Sequence, residues 1–157
     1  MNKKTKKRIL GIVLIGIFVA MGIVLYLFNM PQRDVQASKI DFRISAKEIV
    51  AEYLANADSA NDKYLQEEGD SKILAVTGTV ASIDTDLNNQ KVVLLKNADE
   101  EAGVSSTFMA ETNSNAEALQ IGDKVTIKGV IRSGAGYDED LDLYEDVIME
   151  KCDVLKE

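Results

Sequence analysis

The sequence predicts one transmembrane helix followed by a small, mainly β domain, a five-stranded barrel with an amphipathic helix in front of it. Three observations carry this expectation. Twenty residues, Ile9 to Phe28, contain no charge. Beyond them, apolar residues recur once at helical spacing, over residues 45–68, and then change to alternation. The alternating runs come as three, then a short helical stretch, then two more.

The uncharged run comes first. At about 1.5 Å per residue, a helix of that length spans ~30 Å, the hydrocarbon thickness of a bilayer. Asn29-Met30-Pro31 follows it, and proline cannot continue the helical ladder. Tyr26 stands near the exit, where a ring with a polar tip suits the interface. The apolar core of a cleaved signal peptide is about 7–15 residues long, so the length favours a retained anchor. Lys3, Lys4, Lys6, Lys7 and Arg8 precede the run, and no acid does. This bias predicts a cytoplasmic N-terminus and an extracytoplasmic C-terminal domain, periplasmic or on the outer face, in a single-pass protein of the cell membrane. The rest of the chain holds the other 13 cations and all 26 acids, a net charge of −13.

The domain layout follows in order. Residues 1–8 form a cytoplasmic basic segment, 9–28 the transmembrane helix, 29–44 a polar tether, 45–68 the amphipathic helix and 69–157 the barrel domain. The amphipathic helix has full start signals. Ser45 and Glu48 make a capping box, with Ile44 and Ile49 at the staple positions. Ile49, Tyr53, Leu54, Ala57, Ala60, Tyr64 and Leu65 form one stripe, which needs a partner surface. Gly69-Asp70-Ser71 ends it. Ile73 to Ile83 then alternates, Asp84 to Gln90 is a turn, and Lys91 to Lys96 is a short apolar strand. Val104, Ser106 and Phe108 share one side of a third strand. Asn113 to Gln120 is a short helix capped by Asn113 or Ser114 and ended by Gly122. Lys124 to Ile131 is a fourth strand. Gly134 to Asp140 is a loop. Leu141 to Leu155 is a fifth strand, kinked near Tyr144, where the alternation slips.

The order β-β-β-α-β-β, with its helix between strands three and four, is that of an OB-fold, a five-stranded Greek-key barrel. Ile-Gly-Asp-Lys-Val-Thr-Ile-Lys-Gly (121–129), Val-Thr-Gly-Thr-Val (76–80), Gly-Val-Ser-Ser-Thr-Phe (103–108) and Ala-Asn-Asp-Lys-Tyr-Leu (60–65) carry a likeness. Over about residues 45–155 the chain resembles the bacterial tRNA anticodon-binding-like OB-fold family, whose members include single-helix-anchored envelope proteins. The resemblance implies the fold and says little of activity. Similar sequences often have a cysteine where Ser106 stands and another where Cys152 stands. A cross-link between two such cysteines in relatives is missing here.

The chemistry on offer is limited. The chain has no histidine, the commonest general base and metal ligand, and a single cysteine. It has no phosphate-binding glycine loop and no Gly-x-Ser-x-Gly. Asp138, Asp140 and Asp142 match the first ligands of a calcium loop, but Leu143 and Met149 stand where its glycine and bidentate glutamate belong. Lys124, Lys128 and Arg132 share a strand face, for which cross-strand pairing with Asp142, Asp146 or Glu150 is the plainer role. The net charge of −13 and the absence of tryptophan disfavour nucleic acid.

The expectation is therefore a membrane-anchored, extracytoplasmic OB-fold binding module, non-enzymatic and without cofactor. It meets the bilayer through Ile9 to Phe28, and an envelope protein or a small ligand through the barrel mouth. That mouth is placed between the loops 84–90 and 132–140, with Arg132, Tyr137, Asp138 and Asp140 as ligand-binding candidates. The competing readings are a nucleic-acid-binding OB-fold protein and a carboxylate-dependent hydrolase.

Overall fold

The computed structural model describes residues 3–28, 33–65 and 71–156. It divides into two compact units, Met1–Arg33 and Asp34–Glu157. The first is one helix, α1 (Lys3–Phe28). Its segment Gly11–Phe28 has a mean hydropathy of 2.7 and buries none of its residues within the structure. A helix of that length and composition can cross a membrane, and a signal sequence meets the same criterion.

The second unit is a closed barrel with a helical layer. In chain order it contains β1 (Phe42–Ser45), α2 (Ala46–Ala55), α3 (Ala57–Tyr64), β2 (Ile73–Thr85), β3 (Lys91–Leu95), β4 (Val104–Phe108), α4 (Asn113–Glu117), β5 (Lys124–Ser133), β6 (Gly136–Asp138), β7 (Leu143–Glu145) and β8 (Val147–Val154). Five of these strands close the barrel, in the order β2-β3-β4-β8-β5 and back to β2. The expected five-stranded OB-type barrel, with a short helix between its third and fourth strands, is present.

Strand β2 is what allows closure. Its first half, Ile73 to Thr79, pairs antiparallel with β5, and its second half, Val80 to Thr85, pairs with β3. A bulge falls between Val80 and Ser82, where the strand changes partners. Gly78 sits just before that change, where a Cβ would come within 2.9 Å of the Leu95 Cβ. Only a glycine lets the two strands approach so closely. The barrel closes through a parallel pairing of β4 with β8. Its interior is filled by Leu74, Val76, Val93, Leu95, Val104, Phe108, Ile127 and Met149, all fully buried.

The helical layer differs from the single amphipathic helix expected over 45–68. Asn56 adopts an extended conformation (φ −163, ψ 98) and divides it into α2 and α3. Its side chain accepts from Ser59 N at 3.0 Å, so the asparagine caps the second helix and competes with continuation of the first. The capping box at Ser45 and Glu48 is formed as expected. Ile49, Tyr53, Ala60 and Tyr64 are buried, and Tyr64 packs edge-on against Phe42 with ring centroids 5.4 Å apart. The expected breaker segment lies outside the described residues up to Asp70.

Of the polar tether expected over 29–44, residues 29–32 lie outside the described residues, and the chain from Asp34 onward packs on the barrel. Phe42 to Ser45 form β1, which adds in parallel to β2 along the edge that β3 leaves free. The residues before it form a strap on the barrel. Val35 is buried. The ammonium of Lys128, 6% exposed, donates to the carbonyls of Gln36 (2.7 Å) and Ser38 (2.6 Å). Gln36 Nε2 in turn donates to Lys151 O at 2.7 Å. A buried ammonium needs acceptors, and here main-chain carbonyls of the strap supply them. Asp41 completes the join by accepting from Ile73 N at 2.8 Å.

Three further boundaries differ. Strand β5 runs on to Ser133, and the expected loop after it contains a two-stranded hairpin, β6–β7. The expected kink near Tyr144 is a true break at Asp146, whose carboxylate accepts from Gly103 N at 2.7 Å. The short helix α4 begins after Thr112, not after Asn113 or Ser114. Thr112 Oγ1 donates to Cys152 O at 2.7 Å. Asn113 instead ties the helix to the β2–β3 turn, accepting from Lys91 N and donating to Asn89 O, both at 2.8 Å.

Candidate functional site

The four residues singled out in the sequence occupy the end of β5 and the hairpin that follows. Tyr137 of β6 and Tyr144 of β7 are register partners, and their rings pack 4.9 Å apart between centroids. Both are partly exposed. The Tyr137 hydroxyl donates to the Asp142 carboxylate, which raises the phenol's pKa. A hydrogen bond to Glu101 does the same for Tyr144. The hairpin therefore presents two aromatic faces, each with its polar tip held by a carboxylate. Leu141 and Leu143 are exposed beside them.

The remaining candidates have structural partners of their own. Asp138 Oδ1 accepts from the amides of Asp140 (2.9 Å) and Leu141 (3.0 Å), an Asx-type turn that shapes the hairpin tip. Asp142 takes a left-handed conformation (φ 51) at the same tip. Of the three acids that match a calcium loop, Asp138 thus directs its carboxylate at backbone amides and Asp142 directs its own at Tyr137. No metal-holding group of three or more His, Cys, Asp or Glu converges among the described residues. Arg132 is exposed and pairs with Glu150 at 3.8 Å, one of the cross-strand pairs anticipated for its face.

The lysine–arginine stripe on β5 is split by tertiary structure. Lys124 is exposed, Lys128 is buried under the strap, and Arg132 is exposed on its ion pair. The anticipated barrel mouth is also divided. The turn 86–90 is tied to the far end of β4, through Gln90 Nε2 donating to Phe108 O at 2.8 Å. The hairpin is rooted at the near end of β4, where Val147 N donates to Gly103 O at 3.0 Å. The structure brings Tyr137, Asp138 and Asp140 together with Asp142, Tyr144 and Glu101, and does not bring the 84–90 turn to them. Tyr144 and Glu101 escaped the sequence reading. The alternation slip at Tyr144 was the only trace of the hairpin that brings them together.

The outer face of the barrel is a second surface. Ser82, Leu94, Ser105 and Ile148 form one row in register across β2, β3, β4 and β8, and Asp84, Val92 and Thr107 form the next. Neither row carries an aromatic ring or a cation. Inside the barrel, Cys152 is fully buried, and burial pushes its thiol far above the ordinary range. The neighbouring Ser106 hydroxyl acts in the opposite direction. Ser106 is itself buried and makes no well-formed hydrogen bond. The two positions at which similar sequences often carry cysteines are thus side-chain neighbours in this fold.

Comparisons with known proteins agree with this architecture. Among solved structures, a lipoprotein from Klebsiella pneumoniae subsp. pneumoniae, named as nucleic acid-binding, matches 81% of this chain and 100% of its own. The TM-score is 0.54 at 19% identity, a likeness of fold alone. The S. pombe Stn1-ten1 complex matches 54% of this chain and 59% of its own at 16% identity, and its TM-score of 0.36 carries no argument. No curated protein matches. The tRNA_anti-like family model matches residues 1–141, taking in the strap, both helices of the outer layer and the barrel as far as the hairpin tip. The chain belongs to the tRNA_anti-like family.

Proposed function

We propose that this chain is a single-pass membrane protein whose OB-fold barrel lies outside the cytoplasm and works by binding, not by catalysis. The observation that carries this reading is α1. It holds an uncharged apolar segment, Gly11–Phe28, behind a basic N-terminus, and it is joined to a barrel of a family with an OB-fold. In this reading residues 1–8 stay inside, 9–28 cross the bilayer, and the chain from Asp34 onward belongs to the exported domain. The contact surface is the β6–β7 hairpin with Arg132 at its base. Tyr137 and Tyr144 supply apolar area and Asp138, Asp140 and Asp142 supply charge. The absence of histidine and the burial of the one cysteine support binding over turnover.

Topology tests the reading. Protease added to cells stripped of their outer barrier is expected to digest the barrel unit, with no further sites appearing on lysis. Protection of the barrel until lysis would reverse the orientation. Release of the barrel from washed membranes as a cleaved fragment would replace the anchor by a signal peptide.

A second reading, nucleic-acid binding, is favoured by the name of the Klebsiella neighbour. Charge and surface argue against it. The chain after its basic N-terminus carries −13, and phosphate neutralisation supplies most non-specific affinity. The two outward rows offer no ring on which a base could stack. The chain in detergent is expected to bind single-stranded DNA or RNA no tighter than the ~10⁻⁴ M end of non-specific affinity at physiological salt. A micromolar complex that weakens with salt would move nucleic acid to first place.

A further inference from the structure

We propose that the cleft lined by Lys47, Lys96 and Lys124 binds a phosphate group, carried by a small molecule or a lipid headgroup. The cleft is about 300 Å³ and lies between the first turn of α2, the middle of β2 and the end of β3. A second cleft of about 470 Å³ adjoins it and shares Thr77 and Lys124. Where they meet, the hydroxyls of Thr77 and Thr126 stand 2.8 Å apart. The site is separate from the hairpin and goes beyond the function proposed above, on whose topology it does not depend.

The argument begins with charge. In a domain where acids outnumber cations two to one, a cation has many possible partners. Lys63 takes Glu52, Lys91 takes Glu117 and Arg132 takes Glu150. The three lysines of the cleft do otherwise. Among the described residues, Lys47 and Lys124 make neither an ion pair nor a side-chain hydrogen bond. The Lys96 ammonium donates to the main-chain carbonyl of Glu101, at 3.0 Å. The one acid in the lining, Glu100, has both oxygens engaged by Asn97, at 2.8 and 3.0 Å. Glu48, one residue beyond the lining, is held by Ser45 in the capping box. Glu100 and Glu48 thus have partners of their own, while three lysines line one cleft.

An oxyanion seated in the cleft would accept charge-assisted hydrogen bonds from these lysines. The two hydroxyls at the join bond each other, so the pair has one further proton to donate. The volume suits a phosphate with a small substituent, at the lower end of ordinary ligand sites. A nucleic-acid strand fits less well, because the cations form one cluster, without a continuing track or a stacking ring.

The test uses the full chain in phosphatidylcholine nanodiscs, with thermal unfolding followed by circular dichroism. A ligand that binds only the folded state raises Tm with its concentration. Inorganic pyrophosphate is expected to raise Tm, and each single Lys→Gln change at 47, 96 or 124 to weaken its binding by about tenfold or more. The triple variant is expected to lose the response while unfolding normally without ligand. K39Q/K72Q, at cations outside the cleft, is expected to keep it. Nanodiscs containing phosphatidylglycerol separate the sources. If the headgroup is the ligand, they raise Tm without pyrophosphate and abolish its effect; if a soluble phosphate is, they leave both unchanged. An absent pyrophosphate response in both nanodisc types, with no effect of phosphatidylglycerol itself, overturns the proposal. So does a response that survives in the triple variant. An oligothymidylate that binds through the same lysines more tightly than pyrophosphate would assign the cleft to nucleic acid instead.

Discussion

Gly134→Ala is expected to lower the melting temperature of the chain by roughly 10 °C, whereas Gly136→Ala, two residues away, leaves it within about 2 °C. A Cβ on Gly134 would lie 2.0 Å from two ring carbons of Tyr53. That ring has no open direction of retreat: Tyr53 is 2% exposed, and Tyr64 packs against it at 6.2 Å. Burial pushes its phenol pKa up to about 12, so it stays a neutral core side chain at any ordinary pH. Either the hairpin root or α2 must move, and overpacking of this kind costs about 3 kcal/mol at the upper end of its usual range. At Gly136 the nearest atom to an added Cβ is Glu145 Oε2, at an ordinary 3.6 Å. Thermal unfolding of the two variants side by side checks the contact. Equal melting temperatures would mean that α2 does not press on the hairpin root.

Ser106→Cys is expected to act in the opposite direction. Ser106 and Cys152 lie side by side inside the barrel, on β4 and β8, the parallel pair that closes it. A disulfide there would close a loop of nearly fifty residues and add about 2–4 kcal/mol, raising Tm by on the order of 10 °C. It would also remove a buried hydroxyl that lacks a good partner. Burial holds the Cys152 thiol protonated, and the thiolate is the reactive form. The natural chain should therefore react with a maleimide only once unfolded. The oxidised variant should not react even in denaturant, until a reductant is added. Free thiols in the variant after folding under oxidising conditions would show that the two backbones stand too far apart to be bridged.

The barrel was legible because its signals are local. Alternation in Ile73–Ile83, the apolar Lys91–Lys96 run and the capping box at Ser45 need only neighbours in sequence to be read. The helix between strands three and four then selected the OB arrangement. The break at Asn56 was the missed local feature. Its side chain caps the second helix at Ser59, and that bond outweighed a helical stripe that continues across it. The hairpin was hidden because its strands are three residues each and mostly exposed, so no buried face imposes a period on them.

What the sequence determined by itself was the order of the five barrel strands and the short helix among them, the apolar N-terminal helix and most of the inward side chains, since each follows from periodicity, length or a cap. Tertiary structure alone decided the rest. Lys124, Lys128 and Arg132 are equivalent on a strand diagram. Yet the fold buries Lys128 against the carbonyls of Gln36 and Ser38, some ninety residues away, and sets Lys124 at a cleft with Lys47 and Lys96. The strap was read as a tether because carbonyl acceptors exist on every residue, and nothing in its sequence says which of them a distant lysine will use. Partner choice between polar groups far apart in the chain is set by where closure of the barrel brings them.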